Sequence, residues 1–279
     1  MFEQITPAVA YHGEGPVWSR EWGGLRWVDM LAGDLLTLSD DGSVHRLHVG
    51  SPVAAFVRPR AGGGFVVGLE RGIGLADDPF GTVRPLERMW DDPDIRMNEG
   101  GTDPWGNLYA GSMSYSRRPG AGKLYKIAPD YSVSTVLDSV STSNGIDFSP
   151  DGTRAYYHDT SQRKTEVFDV VEGELTNRRT FHDATGTSPD GLTVDSEGNV
   201  WVALNRVGKI RLYSPDAEIL GEWDIPARLV TAVTLGGEDG RDVFVTTSAE
   251  NLADPTPTEG AIFHGRADVP GKPVVPFAG

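Results

Sequence analysis

The chain of 279 residues contains no cysteine. That excludes disulfide frameworks, thiolate nucleophiles, iron–sulfur clusters and cysteine-bound zinc. No apolar run approaches the ~18 residues that a membrane-spanning helix needs. The opening stretch MFEQITPAVAYHGEG carries Glu3 and lacks the apolar segment of a secretory leader. The expectation is a soluble, cytoplasmic protein. Positive charge is also scarce, with 25 Lys and Arg against 40 Asp and Glu for a net charge of −15. Such a surface repels phosphate backbones and anionic lipid, so neither nucleic acid nor a membrane is expected as a partner. A small neutral or cationic ligand, or a metal ion, fits better; the composition leaves the oligomeric state open.

Turn residues are abundant. The 35 glycines and 19 prolines favour many short strands over long helices, while 38% hydrophobic residues suffice to bury a core. The turns DPWG (103–106), SPDG (149–152) and DSEG (195–198) place their glycines 46 residues apart, and each leads into a strand-like run: NLYAGSM (107–113), TRAYYH (153–158) and NVWVAL (199–204). The same phrase recurs as GGLRWVD (23–29), GGFVVGL (63–69) and GRDVFVT (240–246), making six copies. Further strand-like stretches follow in each copy, such as KLYKI (123–127) and VSTVL (133–137). Four strands per repeat of this length is the unit of a propeller blade. The reading is all-β: a six-bladed β-propeller with four antiparallel strands per blade, one domain over residues 1–279. A β-sandwich would require six phased copies by coincidence. The polar stretch 249–259 reads as a loop within the sixth blade, and Phe2–Thr6 is expected to close the ring beside Pro273–Phe277.

Equivalent positions of successive blades converge on the propeller axis. Counting eight residues back from each turn glycine gives Asn98, Asn144 and Asp190, and the matching position of the first blade is Glu14. The second blade has Ala54 or Ala55 there, and the sixth has Ala232. Glu14, Asn144 and Asp190 are two carboxylates and an amide carbonyl, a hard-oxygen set suited to one divalent cation with positions left for water or substrate. Asn98 is either a fourth ligand or a substrate contact. Taken singly, Asn144-Gly and Asp190-Gly are common turn dipeptides; their shared phase is what favours a site.

These residues also carry a family resemblance. GEGPVW (13–18), RMNEG (96–100) with Asp103 and AGSM (110–113), SNGI (143–146) with SPDG (149–152), and PDGL (189–192) with GNVW (198–201) resemble the senescence marker protein/gluconolactonase/regucalcin family of sugar-lactone lactonases. The resemblance implies a six-bladed propeller with one divalent ion in its channel, held by Glu14, Asn144 and Asp190. It implies that Arg96 and Asn98 contact the substrate, a small-molecule lactone, and that Asp190 doubles as catalytic acid/base. Departures lie on the substrate side: Glu99 replaces the usual aspartate, SYSRR (114–118) stands where an acidic residue is common, and Val230-Thr-Ala-Val233 replaces a polar or proline stretch.

The oxygen donors suit Ca²⁺, Mg²⁺ or Mn²⁺ and also take Zn²⁺ or Fe²⁺. Two other functions fit the same site: a metal-dependent aryl-ester or phosphotriester hydrolase, and a non-catalytic calcium-binding, regucalcin-like protein. No Gly-x-Ser-x-Gly elbow is present. His158, read onto an innermost strand beside Asp159, is either an orienting or a channel-lining residue, and Asp29 shares the phase of Asp159. His12 is read as a loop residue, and Tyr115 as a group that closes over the channel mouth. Arg117 and Arg118 read as a solvated loop that could meet an acidic substrate. The tryptophans, Trp18, Trp27, Trp90, Trp105, Trp201 and Trp223, read as blade packing.

Overall fold

A computed structural model describes residues 1–279 as six four-stranded antiparallel sheets arranged as a six-bladed β-propeller. The innermost strands are Gly13–Ser19, Ala54–Pro59, Ile95–Thr102, Ser143–Phe148, Ser188–Val194 and Val230–Gly236. Burial falls outward through each blade. The second strands, such as Phe65–Leu69 and Arg154–Asp159, are almost wholly buried, whereas the outermost strand Val133–Val140 is mostly exposed. Strands packed on both faces are continuous apolar runs, which is why the second strands dominate the repeat pattern. Those runs, expected to be innermost, are therefore second in their blades, and His158 lies one strand out from the channel.

The turn glycines reflect a shared device. Asp103 Oδ1 accepts from the amides of Trp105 and Asn107 at 2.9 and 2.8 Å, and Asp195 Oδ1 from those of Glu197 and Asn199 at 3.0 and 2.9 Å. The glycine inside each loop, Gly106 or Gly198, adopts φ 81° or 86°, where a Cβ would be strained. Trp201 and Trp27 are buried as expected of packing residues, but Trp105, at the tip of one such turn, is 52% exposed.

The ring closes through the N-terminal segment, though not where expected. Glu3–Gln4 pairs with Ile262–Arg266, the third strand of the sixth blade, rather than with 273–277. Ile262–Arg266 offers a free edge, and Gly265 leaves room for the Phe2 ring, which lies 2.7 Å from where a Cβ would sit. The 273–277 segment has prolines at 273 and 276, which have no N–H to donate to a ladder. It crosses the lower end of the channel instead. Phe277 exchanges backbone bonds of 2.8 Å with Pro59 and Ala61, Thr102 Oγ1 donates to the Val275 carbonyl, and Lys272 Nζ donates to Asp147 Oδ1 at 2.7 Å. The 249–259 stretch is, as expected, a loop between the second and third strands of the sixth blade.

All six inner strands break their pairing at one phase, between Glu14 and Val17, Ala54 and Val57, Met97 and Gly100, Ser143 and Ile146, Pro189 and Leu192, and Val230 and Ala232. Such bulges re-aim side chains. The register corrects the sixth blade by one residue. Thr231 occupies the phase of Asn144, and Ala232 that of Gly145; in the second blade the equivalent is Ala55. Asn144-Gly and Asp190-Gly therefore lie within strands and are not turns. The glycines answer to a close approach, since a Cβ on Gly191 would sit 2.4 Å from that of Ala232, and one on Gly145 2.6 Å from the Leu192 nitrogen. Gly191→Ala should cost about 1–3 kcal/mol by overpacking and lower Tm by roughly 3–10 °C. A thermal melt with an unchanged midpoint would contradict this account of the inner ring.

Candidate functional site

Glu14, Asn98, Asn144 and Asp190 sit at the bulges of the first, third, fourth and fifth inner strands, and with Arg96 they line one cavity of about 330 Å³ at the upper mouth of the channel. All five are buried. Thr231, at the same phase in the sixth blade, instead closes its hydroxyl onto the Gly13 carbonyl and Thr246 Oγ1.

The two carboxylates are held so that one oxygen is tied and the other is open. Glu14 Oε2 accepts from the Gly15 amide at 3.1 Å, and Asp190 Oδ2 from Asn205 Nδ2 at 2.7 Å; Oε1 of Glu14 and Oδ1 of Asp190 accept no hydrogen bond. A directional chain sets the amides. Arg96 donates to Asn98 Oδ1 at 2.6 Å, Asn98 Nδ2 donates to Asn144 Oδ1 at 2.8 Å, and Asn144 Nδ2 donates to Thr160 Oγ1 at 2.6 Å. Thr160 Oγ1 in turn donates to the Pro189 carbonyl at 2.7 Å. Asn144 thus keeps a lone pair on Oδ1, whereas the Asn98 oxygen is engaged by Arg96.

Burial raises the pKa of both carboxylates. The neighbouring Asp190 and Glu99 push Glu14 further up, and Glu99 and Glu250 do the same to Asp190 against the opposing bond from Asn205. Arg96 is lowered by burial and has no carboxylate within ion-pair distance. Its guanidinium rests instead on the Met97 carbonyl and Asn98, with the Tyr115 ring 5.8 Å away. Two buried acids and a buried, unpaired guanidinium in one cleft cost the fold stability and mark a functional site. No three His, Cys, Asp or Glu side chains converge as a metal cluster anywhere in the chain, so a cation here would depend on the Asn144 amide oxygen.

Of three supporting residues, Asn205 and Thr160 had no strong signal in the sequence, and His158 takes the orienting one of the two roles expected of it. Asn205 ends the second strand of the fifth blade and holds Asp190 directly. His158 bridges blades from behind: Nδ1 donates to the Asp190 carbonyl at 2.6 Å, and Nε2 accepts from Thr165 Oγ1 at 2.9 Å. Burial pushes its pKa down to about 4, which keeps the ring neutral in that tautomer. Thr160 joins the fourth blade to the fifth. Asp29 and Asp159 neither orient ligands nor line the channel. Each accepts a backbone amide two residues before a candidate ligand, those of His12 and Thr142, both at 3.0 Å. Their shared strand phase marks that pair in the sequence, whereas contacts between blades leave no trace in the repeat.

A sequence model of the SMP-30/gluconolactonase/LRE-like region matches residues 12–249. The chain belongs to this family. Among relatives of this lactonase, the 6-deoxy-6-sulfogluconolactonase of Pseudomonas putida is 37% identical over 96% of the chain and 95% of its own length. The pentonolactonase XacC of Haloferax volcanii is 33% identical over 85% and 81%. A crystal structure of a calcium-binding protein, regucalcin, from Agrobacterium tumefaciens superposes with a TM-score of 0.91 at 26% identity, covering 99% of this chain and 97% of that one. No helix in the lactonase is long and apolar enough to cross a membrane. Asn205→Ala, which frees the second Asp190 oxygen, should reduce lactone turnover roughly 10–100-fold, as loss of a ligand's supporting hydrogen bond typically does. Steady-state kinetics on the folded variant check this; wild-type turnover would contradict the supporting role.

Proposed function

We propose that the chain opens a sugar (aldono-) lactone with one divalent metal ion held by Glu14, Asn144 and Asp190. The observation that carries this reading is an open carboxylate oxygen on buried Glu14 and Asp190 and a remaining lone pair on buried Asn144 Oδ1, presented to one cavity from three blades. The donor set fits a hard cation: all three atoms are oxygens, and the two negative charges balance a dication. Three protein ligands leave coordination positions for substrate and water. When bound, the ion supplies Lewis acidity to the lactone carbonyl and lowers the pKa of adjacent water.

Asp190 is the proposed general acid/base. Its carboxylate takes a proton from the water that attacks the acyl carbon, the bond from that carbon to the ring oxygen breaks, and the proton returns to the departing oxygen, giving the open hydroxy acid. Proton transfer of this kind contributes typically ~10²–10⁴-fold. Asn205 and His158 fix the side chain and backbone of Asp190 for this role. Arg96, cationic and without an acid partner, faces the same cavity and is the proposed contact to substrate oxygens, with Asn98 setting its position.

The names of two relatives, a sulfogluconolactonase and a pentonolactonase, support lactone over aryl ester or phosphotriester as substrate. The regucalcin structure described as calcium-binding supports Ca²⁺ as the first ion to test among Ca²⁺, Mg²⁺, Mn²⁺, Zn²⁺ and Fe²⁺. In a pH-indicator assay on metal-stripped protein, glucono-δ-lactone and other aldonolactones should turn over only after an ion is restored. Asp190→Ala should lose at least about 100-fold in kcat with any ion. Full turnover after stripping, or an active Asp190→Ala enzyme, would overturn the reading.

A further inference from the structure

The rim of the cavity carries a charge pattern that lactone hydrolysis does not need. Arg117, Arg163 and Arg206 follow the second strands of the third, fourth and fifth blades, and all three line the same cavity as Glu14 and Asp190. Arg117 and Arg163 are 46 residues apart, at the same phase of their blades; Arg206 stands on the shorter hairpin of the next. Each has a left-handed backbone, with φ of 57°, 50° and 67°, a conformation that ordinarily selects glycine or asparagine. Gly33 occupies the corresponding turn of the first blade with φ 70°.

All three arginines are exposed, and their side chains make no hydrogen bond or ion pair within the chain. Their neighbour Arg118, by contrast, is neutralised by Asp92 and Asp94, both at 2.8 Å. The opposite side of the mouth carries Glu250, which lines the cavity from the sixth blade, while Glu70 of the second is paired with Arg71 at 3.2 Å and receives the Tyr115 hydroxyl at 3.0 Å. The field of Arg117 reaches inward, adding to the burial that lowers His12 and Arg96. In a chain of net charge −15, three unpaired guanidiniums on one arc are a local reversal of the molecule's sign.

We propose that the substrate lactone bears an anionic substituent, a sulfonate or phosphate, on the end remote from the reacting carbonyl, and that Arg117, Arg163 and Arg206 bind it. This rests on the lactonase reading above. Guanidinium forks match the oxygens of a tetrahedral anion, and three of them on adjacent blades can surround one group while the ring carbonyl faces Glu14, Asn144 and Asp190. Glu250 opposite would turn the same group away, so the charge pattern also selects the orientation of the ring.

The test compares kcat/KM for glucono-δ-lactone, 6-phosphogluconolactone and 6-deoxy-6-sulfogluconolactone in the wild type, in Arg117→Gly, Arg163→Gly and Arg206→Gly, and in the triple variant. The wild type should prefer one of the anionic lactones at low salt, and the preferred one identifies the group. The ratio of anionic to neutral kcat/KM should fall about three- to tenfold per arginine removed and about 100-fold in the triple variant, and added KCl should narrow it. Glycine suits the left-handed backbone, so Tm should hold or rise, whereas arginines kept for stability would lower it. Calorimetric titration of 6-phosphogluconate and gluconate reads the same preference without turnover. An equal or better kcat/KM for the neutral lactone in the wild type, or a ratio that the triple variant leaves unchanged, overturns the proposal while the lactonase reading stands. If no lactone is turned over, the lactonase reading fails, and equal binding of the two acids then overturns the proposal as well.

Discussion

Six inner strands approach a common axis, and in the first, fourth and fifth the residue after the site position, Gly15, Gly145 or Gly191, has almost no room for a side chain, whereas Phe56 and Ala232 stand there in the second and sixth. That crowding organises much of the rest. Where Gly145 and Gly191 yield the space, the preceding Asn144 and Asp190 sit at a bulge and line the cavity. The third blade breaks the rule with Glu99, which is buried and turns to Arg58 at 3.4 Å. Its acidity is felt at Glu14 and Asp190, so the packing of one inner strand bears on the electrostatics of the other two. A channel built this way sets positions by backbone geometry first and by side-chain networks second.

The blade repeat was legible because its strongest signals are local. A turn closed by a glycine of positive φ and followed by a doubly buried strand recurs in every copy, with an Asp-x-x-Gly cap in the third and fifth. Glu14, Asn144 and Asp190 were legible for the same reason, as polar residues at one phase. The inner strands themselves were harder to see, since their polar residues and bulges break the alternation by which a strand is usually read. The same bulges shifted the reading of the sixth blade by one residue, from Thr231 to Ala232. His158 and Thr160 act between blades, and such contacts have no spacing to find; Asn205 acts within its own blade, 46 residues after Asp159. The ring closure was misplaced because the two chain ends were expected to pair with each other, whereas Pro273 and Pro276 deprive 273–277 of donors.

Charge in this molecule is arranged by region. Acidic residues dominate the chain as a whole, yet the upper mouth carries an arc of unpaired arginines facing Glu250, and the cavity below holds acids and a guanidinium without direct pairing. Among other surface arginines, Arg118 and Arg266 are paired with aspartates, while Arg84 and Arg88 are exposed and unpaired. The convergence of open charges of both signs on one cavity, rather than net charge, therefore locates the site.

The segment that crosses the lower end of the channel has a kinetic consequence. It is tied to the second, third and fourth blades by Phe277, Val275 and Lys272 and leaves only a small cavity of about 70 Å³ behind it. The barrel is a cup rather than a tube. Substrate, the water consumed and the ring-opened acid all pass through one doorway, so a departing product stands in the way of the next arrival. Traffic in such a vessel is alternating, and the residues at its lip meet every molecule twice.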